Sequence, residues 1–333
     1  MLPGDILVFA LGGNAIAAKS GGTFDAQYAA VRAATREIAR LAGDGYRIVV
    51  THGNGPQVGD ALLRSEHSAP LAPPLPLHAC VAETQGMLGA MIEMALAGWI
   101  KTERGISSKV ATLVTRVLVS AADPAFEAPT KPVGPVLPYN GAKPGAPPRY
   151  PFPVRQVAPG RYRRVVPSPD PVSVLEAGAV RRLLAAGYIV IACGGGGIPV
   201  VVKKGRTGSG SSGRRSSKSS SGGLSFVDAV VDKDLASERL ASAIGASRLV
   251  CLTDVAGAYV DFRSSRRRLL RKASVAEMKD LLAAGHFEEG TMEPKVRAAV
   301  RFAENTGRSA VIAHLGRVRQ AAGLAAGTVV YYK

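Results

Sequence analysis

The segment Ile6-Leu-Val-Phe-Ala-Leu-Gly-Gly-Asn14 joins an apolar strand directly to a glycine turn, and it decides the fold. The segment Arg47-Ile-Val-Val-Thr-His-Gly-Asn-Gly55 repeats the pattern, and each turn runs into a stretch with helical spacing. Glycine lets the backbone approach a ligand closely, and free N–H groups at a helix N-terminus attract anions. Two such turns at the ends of parallel strands predict one site for two phosphate or carboxylate groups, as in a phosphoryl transferase.

Apolar strand-like runs alternate with amphipathic helical runs along almost the whole chain. Continuously apolar strands are typical of a sheet covered on both faces, and βαβ alternation is typical of parallel pairing. We therefore predict an α/β fold with helices on both faces of a mostly parallel sheet. The predicted strands are Ile6–Leu11, Arg47–Thr51, Val110–Val114, Ile189–Cys193, Val227–Asp232, Arg248–Thr253, Ser309–Ala313 and Thr328–Tyr331. The predicted helices are Asp25–Ala42, Ala82–Ala97, Ser173–Ala186, Asp234–Gly245, Val275–Ala284 and Glu293–Thr306.

Composition limits the cellular setting. No run is long enough for a transmembrane helix, and the N-terminus lacks the basic region typical of a signal peptide. The three cysteines, Cys80, Cys193 and Cys251, lie far apart and show no metal-ligand spacing. An odd number of such thiols fits a reducing compartment, so we expect a cytoplasmic protein with no membrane partner and no metal ligands of its own.

The net charge of +17 is concentrated in two short segments. This clustering argues against nucleic acid as a partner, and the remaining charge suits a protein whose ligands are phosphates. The clustered residues are Lys203, Lys204, Arg206, Arg214, Arg215 and Lys218 in one segment, and Arg263, Arg266, Arg267, Arg268, Arg271 and Lys272 in the other.

Two segments interrupt the alternation. Ala121–Pro171 is dense in proline, glycine and aromatic residues, so we predict a small protruding lid subdomain with short strands. Lys203–Gly223 is almost entirely Gly, Ser, Lys and Arg, a composition that predicts a disordered basic loop. Its G-x-G-x-x-G match at Gly208–Gly213 is treated as chance, because no helix follows it.

Phosphoryl transfer depends on positioning and positive charge rather than covalent help. Backbone N–H groups of the two glycine turns would hold the transferring group, and tight turns without a ligand are the alternative. These candidates are Gly12, Gly13, Asn14, Gly53, Asn54 and Gly55. His52 is explained better as a hydrogen-bonded turn residue than as a catalyst. The strand-end glycines Gly194, Gly195 and Gly196 predict a close approach to a ligand or to another chain segment.

Charged residues at rigid positions are the candidates for neutralising phosphate. Lys131 lies between two prolines that restrict its backbone, although a solvated loop lysine is the alternative. Arg163 and Arg164 would either neutralise substrate phosphate or remain solvated. Lys233 would bridge phosphates, and Asp234 would orient lysines or cap a helix.

Two further segments complete the candidate site. Lys295 follows Pro294 at the predicted start of a helix, where a positive charge disfavours the helix, and such a lysine is more often functional. Thr253, Asp254 and Val255 end a strand and would line the base and ribose of a nucleotide, with a helix cap or turn as the alternative.

Taken in order, these segments resemble the carbamate kinases of the amino acid kinase family. The resemblance extends from Val8 to Thr328, which favours one amino acid kinase-like domain over residues 1–333 with a lid at 121–171. The segments are Ala10–Ala15, Thr51–Gly59, Thr84–Met87, Asp123–Phe126, Pro129–Pro132, Arg163–Pro169, Gly194–Pro199, Val231–Ser237 and Pro294–Val296.

The resemblance implies an open αβα sandwich with about eight strands, assembled as a homodimer. It implies reversible phosphoryl transfer between ATP and carbamate, commonly run from carbamoyl phosphate and ADP toward ATP, with Mg²⁺ arriving with the nucleotide. Most amino acid kinases carry a lysine at the position of Ala10. Lys131 and Lys295 then look like its substitutes, with Lys233 on the nucleotide phosphates and Asp234 organising the lysines.

The chain departs from the family pattern in the long loop Lys203–Gly223, at Glu293, where a small residue is usual, and at Ala90, where an aromatic is common. Two rival functions stay open. One is a kinase of another small carboxylate, phosphonate or nucleoside monophosphate on the same fold, and the other is a non-catalytic binding protein on this scaffold.

Overall fold

The computed structural model describes residues 2, 4–16, 22–105, 109–141, 149–203 and 223–333. Most of the predicted basic loop Lys203–Gly223, including Gly208–Gly213, lies outside these residues. The strands are β1 Ile6–Leu11, β2 Arg47–His52, β3 Val110–Thr112, β4 Arg116–Val119, β5 Lys131–Pro138, β6 Val154–Ala158, β7 Arg161–Val166, β8 Pro171–Val174, β9 Ile189–Ile191, β10 Ile198–Val202, β11 Leu224–Phe226, β12 Arg248–Thr253, β13 Tyr259–Val260, β14 Arg268–Leu269, β15 Lys272–Ser274, β16 Ala310–His314 and β17 Thr328–Tyr331.

Capping residues mark where several of the helices begin or end. The Thr23, Asp232 and Ser274 side chains precede three helices and accept hydrogen bonds from backbone N–H groups of their first turns. Two other helices are followed by a left-handed glycine, Gly105 or Gly307. The helices are α1 Gly13–Ile16, α2 Phe24–Gly43, α3 Gly55–His67, α4 Leu77–Arg104, α5 Ala177–Ala185, α6 Lys233–Ala243, α7 Val275–Ala283, α8 Met292–Thr306 and α9 Val318–Ala322.

The main sheet has eight strands in the order β15-β17-β16-β12-β1-β2-β9-β3. Every neighbouring pair in it is parallel except β16 with β17. Side chains of β1 alternate between two cores: Val8 and Ala10 face the layer of α6 and α8, whereas Leu7, Phe9 and Leu11 face the layer of α2 and α4. The predicted α/β sandwich with an open, mainly parallel sheet is therefore confirmed.

A separate antiparallel sheet, β5-β7-β6, lies within the predicted subdomain segment. We call residues Lys131–Val166 the β5–β7 segment. It packs on α3, where a Cβ added to Gly59 would lie 1.9 Å from Gly134 Cα. This packing holds Lys131, the first residue of β5, over the edge of the main sheet.

One predicted strand is wrong, and two predicted helices have bounds that differ by several residues. Val227–Asp232 forms no strand, because Val230 donates its N–H to Pro167 O (2.9 Å) instead of joining a ladder. The helix predicted over Ala82–Ala97 extends over Leu77–Arg104. The helix predicted from Ser173 begins at Ala177, since residues Pro171–Val174 pair with β4 as a strand. In the described part of the chain, no helix combines the length and apolarity needed to cross a membrane.

Candidate active site

The two glycine turns lie side by side at the carboxyl ends of β1 and β2. The parallel register places Leu11 opposite His52, and Gly53 donates its N–H to Leu11 O at 3.1 Å. A Cβ on Gly53 would lie 3.0 Å from Gly13 N and 3.2 Å from Lys233 Cδ. Glycine therefore relieves a tight contact where the first turn, the second turn and a candidate lysine converge.

The second glycine turn leads into α3, and the N-cap side chain accepts no hydrogen bond from the backbone N–H groups of that helix. Asn54 is buried, and its Nδ2 donates to Thr84 Oγ1 at 2.8 Å, so the side chain is fixed and does not cap the helix. The backbone at Gly55 thus begins a helix whose first turn has no side-chain acceptor among the described residues. Such a terminus suits a bound anion. α1 begins likewise at Gly13, directly after the first turn.

The glycines Gly194–Gly196 pack against the second turn. Gly195 has φ +62°, and a Cβ there would lie 2.2 Å from Asn54 Nδ2. A Cβ on Gly194 would lie 2.5 Å from His52 Nε2. The close approach expected for these glycines is therefore made to another chain segment, while their contact with a nucleotide stays a prediction.

Three lysines from three different elements meet two aspartates. Lys131 Nζ donates to Asp232 Oδ2 at 2.5 Å, and Lys233 Nζ donates to Asp234 Oδ1 at 2.6 Å. Lys295 Nζ donates to the other oxygen of Asp234 at 2.9 Å. We call these five residues the lysine cluster. Its three ammonium groups exceed its two carboxylates by one positive charge, which suits an anionic ligand.

The cluster keeps its carboxylates ionised. Burial alone would raise the pKa of Asp232, but Lys131 and Lys233 outweigh it and hold that pKa well below its usual range. Burial likewise opposes ionisation of Asp234, and Lys233 and Lys295 lower its pKa. Both carboxylates are therefore charged near neutral pH and orient the ammonium groups beside the glycine turns.

The pKa values of the two most buried lysines of this cluster shift in opposite directions. Burial lowers the pKa of Lys233, against the opposing effect of Asp234. Burial also disfavours charged Lys295, but Asp234 outweighs it and raises the pKa of Lys295 above its ordinary value. Lys295 is thus a permanent cation in the first turns of α8.

The two arginines predicted to bind substrate phosphate contact other parts of the protein. Arg163 Nε donates to Gly134 O at 3.1 Å, and burial lowers the pKa of Arg163. Arg164 donates to Glu66 Oε1 at 2.6 Å and lies 4.3 Å from the centroid of the Phe152 ring. The contact of Arg164 with Glu66 joins the β5–β7 segment to α3, whereas the bond of Arg163 lies within the segment. Phosphate binding by the arginines stays a prediction.

The segment predicted to line the nucleotide, at the end of β12, lies beside the first glycine turn. β12 is parallel to β1, and a Cβ on Gly12 would lie 3.3 Å from Leu252 O. Thr253 donates to Asp254 Oδ1 at 3.1 Å, whereas Val255 is half-buried. The structure therefore brings this strand end to the edge of the sheet that carries the glycine turns.

Sequence reasoning missed the second role of Asp232. One of its oxygens caps α6 by accepting from Asp234 N at 2.9 Å, and the other accepts from Lys131. It also missed the buried hydroxyl pair of Thr51 and Ser237 (2.6 Å), which joins β2 to α6. The sequence signal for the role of Asp232 was the triplet Asp232-Lys-Asp234, because a helix cap accounts for only one of its two aspartates.

The structure shows the surroundings of Glu293 and Ala90, the two residues that depart from the family pattern. Glu293 lies 3.5 Å from Arg297 as an i,i+4 pair, so its carboxylate has a partner other than Lys295. Ala90 is exposed on α4. Neither residue displaces a member of the lysine cluster.

Known proteins of one family are similar to this chain over nearly its whole length. Residues 5–314 match the model of the amino acid kinase family. A carbamate kinase of Pyrococcus horikoshii is 41% identical over 318 residues, covering 95% of each chain. The structure of a carbamate kinase from Giardia lamblia bound to AMP-PNP is similar with a TM-score of 0.83 at 36% identity, covering 99% of both chains. The chain therefore belongs to the amino acid kinase family, and several of its full-length relatives are carbamate kinases.

Proposed function

We propose that this chain is a carbamate kinase, which transfers a phosphoryl group reversibly between ATP and carbamate. The lysine cluster beside two adjacent glycine turns carries the proposal, because it combines backbone N–H donors with one excess positive charge. Full-length relatives at about 40% identity are carbamate kinases, which supports the choice of acceptor.

The proposed chemistry is an in-line displacement with little covalent participation by the protein. Carbamate and the leaving oxygen of ADP would lie on opposite sides of the phosphoryl group. N–H groups of the two glycine turns would hold its equatorial oxygens, and Lys131, Lys233 and Lys295 would balance the charge that develops there. Preorganised donors of this kind supply most of the rate in phosphoryl transfer.

We assign the divalent metal to the nucleotide rather than to side chains of the described residues. The described residues contain no group of three or more His, Cys, Asp and Glu side chains that could hold an ion. The carboxylates of Asp232 and Asp234 already accept hydrogen bonds from lysines. We therefore infer that Mg²⁺ accompanies the nucleotide phosphates.

Three finer points belong to the same proposal. The reaction is expected to run from carbamoyl phosphate and ADP toward ATP. The subunits are expected to form homodimers in the cytoplasm. Thr253, Asp254 and Val255, together with Gly194–Gly196, are expected to contact the nucleotide.

ATP formation from purified protein, carbamoyl phosphate and Mg·ADP tests the function. Acetyl phosphate serves as the matched control, because it presents the same acyl phosphate with a methyl group in place of the amine. We expect ATP from carbamoyl phosphate, little from acetyl phosphate, and none after chelation of Mg²⁺. ATP from another acyl phosphate alone would identify a kinase of a different small carboxylate. No ATP from any donor by folded, ADP-binding protein would contradict the assignment.

A further inference from the structure

The chain leaves the β5–β7 segment through Pro167-Ser-Pro-Asp-Pro171, which we call the strap. Each end of the strap is tied to the body of the protein. Val230 donates its N–H to Pro167 O at 2.9 Å, and Arg239 Nε donates to Pro171 O at 2.9 Å. The prolines restrict the backbone between these ties. The strap is thus a stiff connection rather than a loose linker.

An ion pair holds the middle of the strap to α8. Arg301 donates through Nη1 to Asp170 Oδ1 at 2.7 Å and through Nη2 to the other carboxylate oxygen. The backbone N–H of Asp170 donates to Asp123 Oδ2 at 2.9 Å. The hydrogen bonds that Arg301 donates to Asp170, together with the charge of buried Glu238, raise the pKa of Arg301. A bidentate pair of this kind fixes orientation as well as distance.

The strap contacts α6 and α8 and is joined through β7 to β5, so it is linked to all three elements that carry the lysines. Val166, the residue before it, lies opposite Lys131 in the pairing of β5 with β7. Arg301 lies on α8 with Lys295, and Arg239 lies on α6 with Lys233. A shift of the strap would therefore move Lys131 relative to the other two lysines.

We propose that Asp170 and Arg301 are positioning residues for the phosphoryl transfer: their ion pair fixes the strap and so holds Lys131 against Asp232. This inference rests on the proposed function. The pair touches no member of the lysine cluster, so it acts through β7 and β5. Ion pairs that solvent still reaches add little stability, and the effect of this half-buried pair is expected in the geometry of the site.

Asp170→Asn tests the proposal, with Glu304→Gln as the matched control. Glu304 also lies on α8, pairs with Lys279 and is 33% exposed, against 38% for Asp170, but it contacts no part of the strap. We expect Asp170→Asn to lower kcat about tenfold with KM for ADP within about twofold, because small misplacements of a catalytic group slow the chemical step. Unchanged kcat, or an equal loss in Glu304→Gln, would overturn the proposal.

A double-variant cycle separates positioning from a general structural role. In a Lys131→Ala background the effect of Asp170→Asn on kcat should largely vanish, because the lysine that it positions is gone. A full additional tenfold loss would show that the ion pair acts elsewhere.

Hydrogen exchange gives a readout that does not depend on turnover. Amides of β5 and β7 should exchange faster in Asp170→Asn than in Glu304→Gln or the unaltered protein. Equal exchange in all three would overturn the role of the strap. If the unaltered protein makes no ATP, the proposed function fails while this measurement still decides whether the ion pair holds Lys131.

Discussion

His52 is a buried residue at the point where the glycine segments meet. Its Nδ1–H donates to Gly53 O at 3.1 Å, and its Nε2 faces Gly194. Burial lowers the pKa of His52 to about 4, the bond to Gly53 opposes this, and the charge of Lys233 adds to the lowering. The imidazole is therefore neutral near pH 7, as expected of a turn residue that holds the backbone in place.

This environment predicts a pH dependence of stability. The folded pKa of about 4 lies below the unfolded value near 6.5, so His52 stabilises the fold fully above pH of about 6.5. That stability is lost as the pH falls through about 4. The shift corresponds to a contribution on the order of 3 kcal/mol. Urea unfolding at pH 7 and pH 4.5 should show a smaller decrease in the free energy of unfolding for His52→Asn than for the unaltered protein. The same decrease in both proteins would refute this account of His52.

The crossing of α3 over β5 is set by a pair of glycines. A Cβ on Gly59 would lie 1.9 Å from Gly134 Cα, so only glycine permits this separation of the two backbones. The crossing matters for chemistry because β5 begins with Lys131. Helix packing and the position of a predicted catalytic lysine are therefore linked.

Gly59→Ala is expected to lower the free energy of unfolding by about 1–3 kcal/mol, because overpacking forces the backbones apart. It should also reduce ATP formation by displacing Lys131. Gly86→Ala is the control: a Cβ there meets nothing within 4 Å inside α4, and alanine should stabilise that helix by about 0.5–1 kcal/mol. Chemical denaturation and initial rates measure both effects. Full stability and activity in Gly59→Ala would contradict the close crossing.

The elements were predictable where their pattern is local. Ile6–Leu11, Arg248–Thr253 and Thr328–Tyr331 form strands with the predicted bounds. Val227–Asp232 has the same apolar character, yet Val230 bonds to the strap instead of a neighbouring strand. An apolar run indicates burial, whereas a ladder also needs a partner that the run itself does not specify.

The sequence singles out the lysines, and the family resemblance implies that Asp234 organises them, but the pairing of Lys131 with Asp232 was not predicted. Unusual local contexts, such as two prolines around Lys131, single out the lysines. The partners lie far away in the chain: Lys131 and Asp232 are 101 residues apart, and Asp234 and Lys295 are 61 apart. Such pairings arise only when the β5–β7 segment, α6 and α8 pack around one sheet edge.

The molecule as a whole is organised around the carboxyl edge of its main sheet. β1, β2 and β12 end together there, and the three lysines come from β5, α6 and α8. Insertions far from this edge should leave the chemistry intact. The ends of the basic loop lie close together, because Lys203 donates its N–H to Gly223 O at 2.8 Å, so a short turn can join the flanking strands β10 and β11.

Replacing residues 204–222 with a short glycine-containing turn should keep ATP formation within about twofold, because shortening a loop changes its closure entropy little. The melting temperature should also stay close to that of the unaltered protein. Initial rates and thermal unfolding measure the outcome. Loss of activity in a folded deletion variant would show that the basic loop takes part in substrate binding or chemistry.

The most direct test of the central claim is the initial rate of ATP formation from carbamoyl phosphate and Mg·ADP in Lys131→Ala and Lys295→Ala. Lys279→Ala is the control, since that lysine is an exposed partner of Glu304. We expect each cluster variant to lose about 100-fold or more in kcat, because each removes a preorganised charge from the transition state, and the control to match the unaltered protein. Rates within about twofold of the unaltered protein in either folded cluster variant would contradict the claim that these lysines carry the phosphoryl transfer.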